Sequence, residues 1–307
     1  APRADSTAFA AYQAWMRGIL ANRSASPEAA FADTLQLVLA QHHFRARPWS
    51  EELIGEMDLA TSLRIYQERF ADFGDFTFIF VGNFDLPTIE PLVQSYLGTL
   101  PHGDGQESWR DVGIEPPTGV VERYVYKGLE AKSQTQMIFT GPFDWNYRNF
   151  FMIKAMADAL QIKLREVMRE DLGGTYGVGV SASATHYPKE SYSLSISFTC
   201  DPQRAEELAG VVIAQIDSLQ EAGLDAGYIQ KVQEMRRRRH EVRLRENGYW
   251  LNLLDMANFH QINPRLALEY LDYVEAIDVE TLQQAMQRYL NRENYIRVVL
   301  LPEDYID

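Results

Sequence analysis

The sequence contains a single cysteine in 307 residues, and no apolar run approaches the ~18 residues that a membrane-spanning helix requires. One cysteine, Cys200, excludes an internal disulfide framework and a zinc site built from several thiolates. Cys200 ends a stretch of alternating apolar residues, where a buried and unreactive thiol is expected rather than a nucleophile. We therefore expect no membrane span and no chemistry centred on cysteine.

Common catalytic signatures are also missing from the sequence. There is no glycine-rich phosphate-binding loop and no Gly-x-Ser-x-Gly nucleophile elbow. No two of the six histidines are four residues apart, so the sequence contains neither His-Glu-x-x-His nor the inverted form His-x-x-Glu-His. The sequence therefore predicts no metal site and no complete catalytic set of its own.

Basic residues are fewer than acidic ones. The 29 lysines and arginines stand against 43 aspartates and glutamates, and the resulting net charge of −14 argues against a nucleic acid partner. One basic run, Arg236–Arg239, lies in a predicted helix, where successive side chains turn by about 100° and cannot form one stripe. Since Glu234 precedes Arg238 by four residues, the run is typical of a solvated helix with local ion pairs.

Two segments of the sequence resemble each other at a constant offset, the one that separates Asp58 from Asp278. In the first, Asp58–Leu63 leads through a helical pattern into a predicted strand at Phe76–Val81. In the second, Asp278–Leu282 leads in the same way into a predicted strand at Tyr295–Leu300. The predicted helices that precede the two segments also correspond loosely. A repeat of this length indicates a duplicated domain.

The duplication also predicts how the chain is divided. The second repeat begins near Thr118, after a stretch rich in proline and glycine, so the first repeat would begin about 100 residues before Ala1. We therefore expect a piece of a longer protein. It would contain the C-terminal part of a truncated domain at residues 1–105, a linker at 106–117 and a second domain at 118–307.

The second domain alternates between strand and helix patterns. Strands are predicted at Val120–Tyr126 and Gln134–Thr140, and a helix is predicted at Tyr147–Arg169. Two later stretches, residues 177–184 and 192–199, alternate apolar and small side chains with period two, which predicts a hairpin with one apolar face. This order predicts the α+β class, with two-layer α/β sandwich domains and an antiparallel-rich mixed sheet covered by helices.

The most informative stretch runs from a charged helix end through a glycine pair into a new strand. Arg169 precedes Gly173 and Gly174, and Tyr176 follows them at the start of the strand. A helix–turn–strand of this kind can direct a guanidinium and a phenol, seven residues apart, toward one bound peptide backbone. The other interpretation is an ordinary helix end at glycine with a surface arginine, and the local sequence leaves both open.

A second candidate surface is formed by small side chains of the predicted hairpin. Ser193, Ser195 and Ser197 alternate with apolar residues and would share one face of the hairpin with glycines. Such a face could accommodate an extended peptide, or it could simply pack in the core. Ser193, Ser195 and Ser197 are therefore candidate substrate-binding residues.

Three stretches together resemble the pitrilysin- or insulinase-type zinc metallopeptidases, the inverzincins. Phe76–Asp85 is similar to the last strand of an odd-numbered domain of that family, and Leu86–Pro101 is similar to the helix and linker that follow it. Leu164–Val180 is similar to the Arg…Tyr signature in the last domain of the family. The resemblance covers essentially the whole chain, and it is specifically to the second, metal-free half.

The resemblance implies four homologous domains in two halves that close around a peptide substrate like a clamshell. This chain would be the end of the third domain and all of the fourth. The N-terminal half, in the same protein or in a paired subunit, would bind the zinc ion, so this chain alone would be inactive and would hold no cofactor. Arg169 and Tyr176 would contact the substrate or the tetrahedral intermediate. A bacterial periplasmic location is also expected.

The same resemblance leaves a function of another class open. Proteins of this fold also serve as non-catalytic subunits that bind targeting peptides or form structural cores of respiratory complexes. The upstream coding sequence would discriminate between the two. An inverted zinc motif there indicates a peptidase, and a complete frame without one indicates an interaction protein.

Overall fold

The computed structural model of the chain describes residues 2–105 and 107–305, apart from the side chain of Asp171. Its helices are α1 (Ser6–Arg23), α2 (Pro27–Leu39), α3 (Glu51–Gly55), α4 (Leu59–Arg69), α5 (Leu86–Tyr96), α6 (Tyr147–Arg165), α7 (Ala205–Ala222), α8 (Ala226–Arg243), α9 (Asn247–Phe259), α10 (Tyr270–Glu275) and α11 (Val279–Tyr289). Its strands are β1 (Val120–Tyr126), β2 (Ser133–Pro142), β3 (Gly177–Thr185), β4 (Ser191–Cys200) and β5 (Tyr295–Leu301). Within the described residues, no helix is both long enough and apolar enough to cross a bilayer.

The strands form one five-stranded sheet in the order β1-β5-β2-β4-β3. β1 runs parallel to β5, whereas the other neighbouring strands run antiparallel to each other. The last strand in the sequence therefore lies inside the sheet, and the hairpin strand β3 lies at an edge. The predicted α+β class, with an antiparallel-rich mixed sheet covered by helices, is confirmed.

The chain divides into two compact units, each made of segments that are distant in sequence. Unit 1 comprises Ala1–Arg23, Trp49–Arg110 and Glu241–Pro264. Unit 2 comprises Ser24–Pro48, Asp111–His240 and Arg265–Asp307, and it contains the whole sheet. The predicted domain boundaries at 1–105, 106–117 and 118–307 stay a prediction, because the two units follow packing and not the sequence repeat.

The main core of unit 2 lies on one face of the sheet. β4 alternates strictly, so that Leu194, Ile196 and Phe198 are buried between half-buried small side chains. α6 packs against β3, and α7 and α11 pack against β2. Leu160 and Leu164 of α6 are fully buried. Each such side chain stabilises the fold by roughly 1.5–3 kcal/mol relative to an exposed one, so this face holds the unit together.

The opposite face of the sheet is covered over β5 by α2. Phe31 and Val38 of α2 form a buried cluster with Ile296, Val298 and Leu300 of β5. α2 is positioned by Ser26, whose side chain accepts a hydrogen bond from the backbone of the first turn. This part of unit 2 therefore has helices on both sides of the sheet.

The helices repeat along the chain with the offset that the sequence predicted. α1 and α8, α2 and α9, and α4 and α11 are pairs of equal length, and the first residues of each pair are separated by the same offset as Asp58 and Asp278. α4 and α11 also begin with the same cap, because the carboxylates of Asp58 and Asp278 accept from the backbone N–H of Thr61 and Thr281. The predicted duplication is confirmed in the bounds of the helices.

The predicted strand at Phe76–Val81 is wrong. These residues lie in no strand, and the rings of Phe76, Phe78 and Phe80 are exposed. A strand needs neighbouring strands as hydrogen-bond partners, and within the described residues no strand pairs with this segment. The corresponding strand prediction at Tyr295–Leu300 is confirmed as β5, because β1 and β2 supply those partners there.

Two helix predictions are also corrected in part. The helix predicted at Tyr147–Arg169 ends as α6 at Arg165 and continues as a π-helical turn at Glu166–Asp171. In the arginine run, Arg238 pairs with Glu234 at 2.6 Å as predicted. Arg236, however, is buried and pairs with Asp158 at 2.6 Å, so the run is not wholly a solvated face.

Candidate functional site

The Arg…Tyr corner of unit 2 is built by the end of α6, the π-helical turn and the start of β3. The turn closes with two backbone hydrogen bonds, from Leu172 to Val167 and from Gly174 to Met168. Gly173 has a φ of 55°, in the left-handed region that glycine adopts without steric cost. A π-helical turn is uncommon and occurs often at functional sites. The charged helix end and the glycine pair that the sequence singled out therefore both lie in this corner.

The backbone at Tyr176 is fixed by the buried Thr175. The Thr175 hydroxyl lies 2.7 Å from the carbonyl oxygen of Thr199 and 2.9 Å from that of Gly177, and it accepts a hydrogen bond from the Gly177 N–H. The N–H of Tyr176 itself donates to the carbonyl of Thr199 at 3.1 Å. These contacts attach the start of β3 to β4. The ring of Tyr176 nevertheless remains 75% exposed.

Arg169 lies in the π-helical turn and is also exposed. Among the described residues, neither its guanidinium nor the Tyr176 hydroxyl has a hydrogen-bond partner or an ion pair. Both groups can therefore reach a molecule in solution. That they contact one bound peptide stays a prediction.

Side chains that the sequence did not single out hold the turn in place. Tyr228 of α8 donates to a carboxylate oxygen of Glu166 at 2.6 Å, and its own hydroxyl lies 3.4 Å from the ammonium of Lys163. On the other side, Arg204 reaches the carbonyl of Leu172 at 3.4 Å. These partners lie far from the turn in sequence, so a local pattern could not reveal them.

The predicted serine face exists as a half-buried strip on the sheet. Ser193, Ser195 and Ser197 of β4 face the residues Ser183, Ser181 and Gly179 of β3 across the hairpin. The side-chain amide of Gln136 in β2 donates to the Ser195 hydroxyl at 2.9 Å. The strip lies on the same face of the sheet as the cluster beneath α2, because Ser197 pairs with Gln136 and Gln136 pairs with Val298. Whether a peptide occupies the strip stays a prediction.

The outer edge of β3 is partly closed by one side chain of α6. The amide of Gln161 donates to the carbonyl of Val178 and accepts from the N–H of Val180, both at 2.5 Å. Since alternate residues of an antiparallel strand share one direction, Ala182 and Ala184 also direct their backbone groups outward. Gln161 thus occupies the place of an added strand at the start of β3.

The residues present do not fit a zinc site. Within the part of the chain that the structure describes, no three histidine, cysteine, aspartate or glutamate side chains are grouped closely enough to hold a metal ion. Cys200 is buried, and burial raises the pKa of its thiol, so the thiolate is disfavoured. Its sulfur lies 3.1 Å from the Ser133 hydroxyl inside the core. No step of a reaction can be assigned to a metal held by these residues.

Comparison with known sequences supplies a family. The sequence model of the family described as the peptidase M16 inactive domain matches residues 50–236. The Arabidopsis thaliana protein named zinc protease PQQL-like is 24% identical over 92% of this chain and 32% of its own length. The probable zinc protease PqqL of Haemophilus influenzae is 22% identical over 78% of this chain and 26% of its own length. The chain thus spans between about a quarter and a third of these curated relatives.

Comparison with solved structures gives the same fold. The crystal structure of the periplasmic protease PqqL from Escherichia coli matches with a TM-score of 0.82 and 22% identity, over 97% of this chain and 33% of that one. The separately solved first half of the same protease matches with a TM-score of 0.74 and 13% identity, over 98% of this chain and 67% of that one. At these identities the likeness shows the fold alone.

Proposed function

Because this chain belongs to the family of the peptidase M16 inactive domain, we propose that it is the non-metal-binding C-terminal half of a zinc metalloendopeptidase. The complete protein degrades peptides in a closed chamber, and this half contributes substrate binding and contacts to the transition state. Zinc is held by an N-terminal half, which belongs to the same protein or to a paired subunit. The names of the relatives, zinc proteases of which this chain spans about a third or less, support the proposal.

The observation that carries the proposal is the corner with Tyr176 and Arg169. Its backbone is fixed by the buried Thr175, while the phenol is 75% exposed and the guanidinium is exposed beside the turn. Little free energy is spent on ordering this corner when a substrate binds, because the strand that carries Tyr176 is already ordered.

The two side chains have different roles in the proposal. The Tyr176 phenol donates a hydrogen bond to the substrate carbonyl oxygen, and that bond strengthens as negative charge develops in the tetrahedral intermediate. Arg169 donates to a neighbouring carbonyl of the substrate or holds the phenol in place, since a guanidinium offers several donors in a rigid plane. Neither group is sufficient for hydrolysis by itself.

The role of Tyr176 is tested by Tyr176→Phe in the full-length protein. Loss of one such hydrogen-bond donor is expected to lower kcat by about 10²–10³-fold, with the circular dichroism spectrum unchanged. The matched control is Tyr126→Phe, which removes a hydroxyl from a second exposed tyrosine of unit 2 and leaves kcat unchanged. Full turnover by a folded Tyr176→Phe protein would remove Tyr176 from the mechanism.

The serine strip is the second surface that we assign to the substrate. Its small side chains leave room above β4 for an extended peptide, and Ser195 lies at its centre. Ser195→Leu is expected to raise KM for a peptide substrate with little effect on the unfolding midpoint, because the new side chain fills space outside the core. A large loss of stability with an unchanged KM would identify the strip as ordinary packing.

The same assay separates the peptidase from the non-catalytic alternative. Peptide hydrolysis is measured with this chain alone, with the N-terminal half alone and with both together. The proposal expects activity that requires both parts. A combined sample that binds peptides and never cleaves them would instead support an interaction subunit of the same fold.

We also assign the complete protein to the bacterial periplasm. The support is the Escherichia coli relative, whose structure is described as that of a periplasmic protease. Fractionation of cells that carry the full-length gene tests the assignment, and recovery with cytoplasmic markers would contradict it.

A further inference from the structure

Arg169 has a carboxylate at the right distance in sequence for an ion pair, yet it does not use it. Glu166 is the one acidic residue that lies three or four residues from Arg169, the spacing at which side chains of a helix pair. Among the described side chains, the exposed guanidinium of Arg169 has no ion pair. Arg204 and Glu207, also three residues apart, do pair, at 2.8 Å. The free state of Arg169 therefore requires a cause.

The cause is that the carboxylate of Glu166 is held elsewhere. The hydroxyl of Tyr228, a residue that is 7% exposed, donates to Glu166 at 2.6 Å. The ammonium group of Lys163 lies 3.4 Å from the same hydroxyl, and that of Lys231 lies 4.8 Å from the centre of the Tyr228 ring. A hydrogen bond from a buried donor to a charged group is stronger than an exposed ion pair. Glu166 therefore stays with Tyr228.

The backbone of the π-helical turn is fixed by other contacts. Met168 is fully buried beneath the turn, and Arg204 reaches the carbonyl of Leu172 at 3.4 Å. At Gly174, a Cβ atom would lie only 2.8 Å from the side chain of Leu208, so the chain is closely packed where the turn ends. Loss of the Tyr228 hydroxyl would therefore release one carboxylate and leave the turn in place.

We propose that Tyr228 is a positioning residue for Arg169. By holding Glu166, it keeps that carboxylate from pairing with Arg169 and leaves the guanidinium free for a carbonyl oxygen of the substrate. The inference rests on the proposed function for the identity of what Arg169 binds. The hold on Glu166 itself depends only on side chains of unit 2.

Reaction of Arg169 with phenylglyoxal tests the hold and requires no peptidase activity. The reagent adds to a guanidinium that has lost its proton, and a neighbouring carboxylate slows the reaction because it stabilises the charged form. In the full-length protein, Tyr228→Phe is expected to slow the labelling of Arg169 about two- to fivefold, the range of an exposed ion pair. Mass spectrometry of the digested protein measures the rate. Unchanged labelling of Arg169 in Tyr228→Phe would overturn the proposal.

Arg238 provides an internal reference for that rate. Its side chain is 77% exposed and pairs at 2.6 Å with Glu234, four residues earlier in α8. Arg169 is expected to react faster than Arg238 in the unsubstituted protein and at a similar rate in Tyr228→Phe. If Arg169 already reacts as slowly as Arg238 in the unsubstituted protein, it is paired there and the proposal fails.

Glu166→Gln separates release of the carboxylate from loosening of the turn. A neutral amide cannot form an ion pair with Arg169, so Tyr228→Phe added to Glu166→Gln is expected to slow the labelling of Arg169 no further. A slowing that persists in the double variant would mean that Tyr228 acts on the turn itself, and it would contradict the proposal.

Peptide turnover by the full-length protein connects the hold to the substrate. Tyr228→Phe is expected to lower kcat/KM about two- to fivefold, and the loss shrinks at high salt because an exposed ion pair is screened. The loss also disappears when Glu166→Gln is the starting protein. The matched control is Tyr192→Phe, which removes a hydroxyl from a comparably buried tyrosine, 6% exposed, near the other end of β4. A loss that depends neither on salt nor on Glu166 would count against the proposal.

The two measurements distinguish failure of this inference from failure of the proposed function. Slower labelling of Arg169 with unchanged turnover would leave the hold by Tyr228 standing and remove Arg169 from substrate binding. Unchanged labelling and turnover in Tyr228→Phe, together with a large loss in Tyr176→Phe, would overturn the role of Tyr228 and leave the proposed function standing.

Discussion

Arg297 carries a buried charge in β5, inside the sheet. Its guanidinium lies 2.7 Å from Glu206, 2.9 Å from Glu122 and 2.9 Å from the hydroxyl of Tyr124. A buried cation is strongly destabilising unless it is paired, so these contacts make the position tolerable. Tyr124 also contacts Glu206, and burial is the main cause that raises the pKa of Tyr124 to about 12. The strand pattern predicted β5 but could not predict which polar groups would converge on it.

Tyr192 is a buried tyrosine whose ionisation should limit stability at alkaline pH. The residue is 6% exposed, and burial raises its pKa to about 12 from an ordinary value of 10. The folded state keeps the phenol proton to higher pH than the unfolded state does. The buried, protonated Tyr192 therefore contributes its full stabilisation below pH 10, and this contribution is lost as pH rises toward 12. We expect the free energy of unfolding to fall by on the order of 2 kcal/mol between those two pH values.

The variant Tyr192→Phe isolates this effect. Urea unfolding monitored by circular dichroism at several pH values should show a shallower alkaline decline than in the unmodified chain. Tyr126→Phe, at a position that is half in solvent, is the control and should follow the unmodified curve. An alkaline limb that is unchanged in Tyr192→Phe would mean that other groups account for the loss.

At the scale of single elements, the duplication supplies a matched pair of helix caps. Asp278 accepts from the Thr281 N–H at 2.8 Å, and the Thr281 hydroxyl accepts from the Asp278 N–H at 3.0 Å. The carboxylate also accepts from the Thr281 hydroxyl at 2.9 Å. The hydrogen bonds that the carboxylate accepts from the Thr281 N–H and hydroxyl hold the pKa of Asp278 below its usual range. Asp58 caps α4 through a corresponding contact with Thr61, 2.7 Å long. The two caps are alike, but only α11 buries side chains in a core.

Asp278→Ala is therefore expected to lower the free energy of unfolding more than Asp58→Ala does. Loss of an aspartate cap costs about 1 kcal/mol where the helix supports the core, as α11 does. Removal of Asp58 should barely change the main unfolding transition of the chain, because α4 buries none of its residues. Chemical denaturation of both variants measures the difference. Equal losses would contradict the view that a cap contributes less on a helix that buries no side chains.

The elements also show what a sequence can and cannot reveal. β3 and β4 were predictable because alternation with period two is local, and the end of α7 at Gly223 is equally local. The same alternation at Phe76–Val81 is not sufficient, since a strand exists only with its neighbours. The Gln161 amide at the edge of β3 and the Tyr228 contact at the π-helical turn join distant residues, and no local pattern encodes them.

At the scale of the whole molecule, the sequence repeat and the compact units do not coincide. α2 belongs to unit 2, whereas its repeat counterpart α9 belongs to unit 1. A repeat records which segments were duplicated, while a compact unit records which segments pack together. The constant offset between similar segments revealed the repeat in the sequence. Which segments pack together could be seen only in the structure.

The membership in the metal-free half of the metallopeptidases was predictable because its signature lies in one continuous stretch of the sequence. Leu164–Val180 joins a charged helix end, a glycine pair and a strand without interruption, so one short stretch carries most of the resemblance. The family match over residues 50–236 confirms that recognition. The geometry between Arg169 and Tyr176 depends on the turn, on Thr175 and on distant partners, and it stays a prediction.

Zinc content provides the test at this scale. The purified chain is expected to retain no stoichiometric zinc after dialysis, and a chelator should leave its unfolding midpoint unchanged. The reason is that structural and catalytic zinc sites need three or four converging nitrogen, sulfur or oxygen ligands, and the described residues contain no such group. Elemental analysis of the chain measures the content, and the full-length protein is the positive control, for which about one zinc ion per molecule is expected. Stoichiometric zinc retained by the purified chain would contradict the proposal that the zinc ion is held by the N-terminal half.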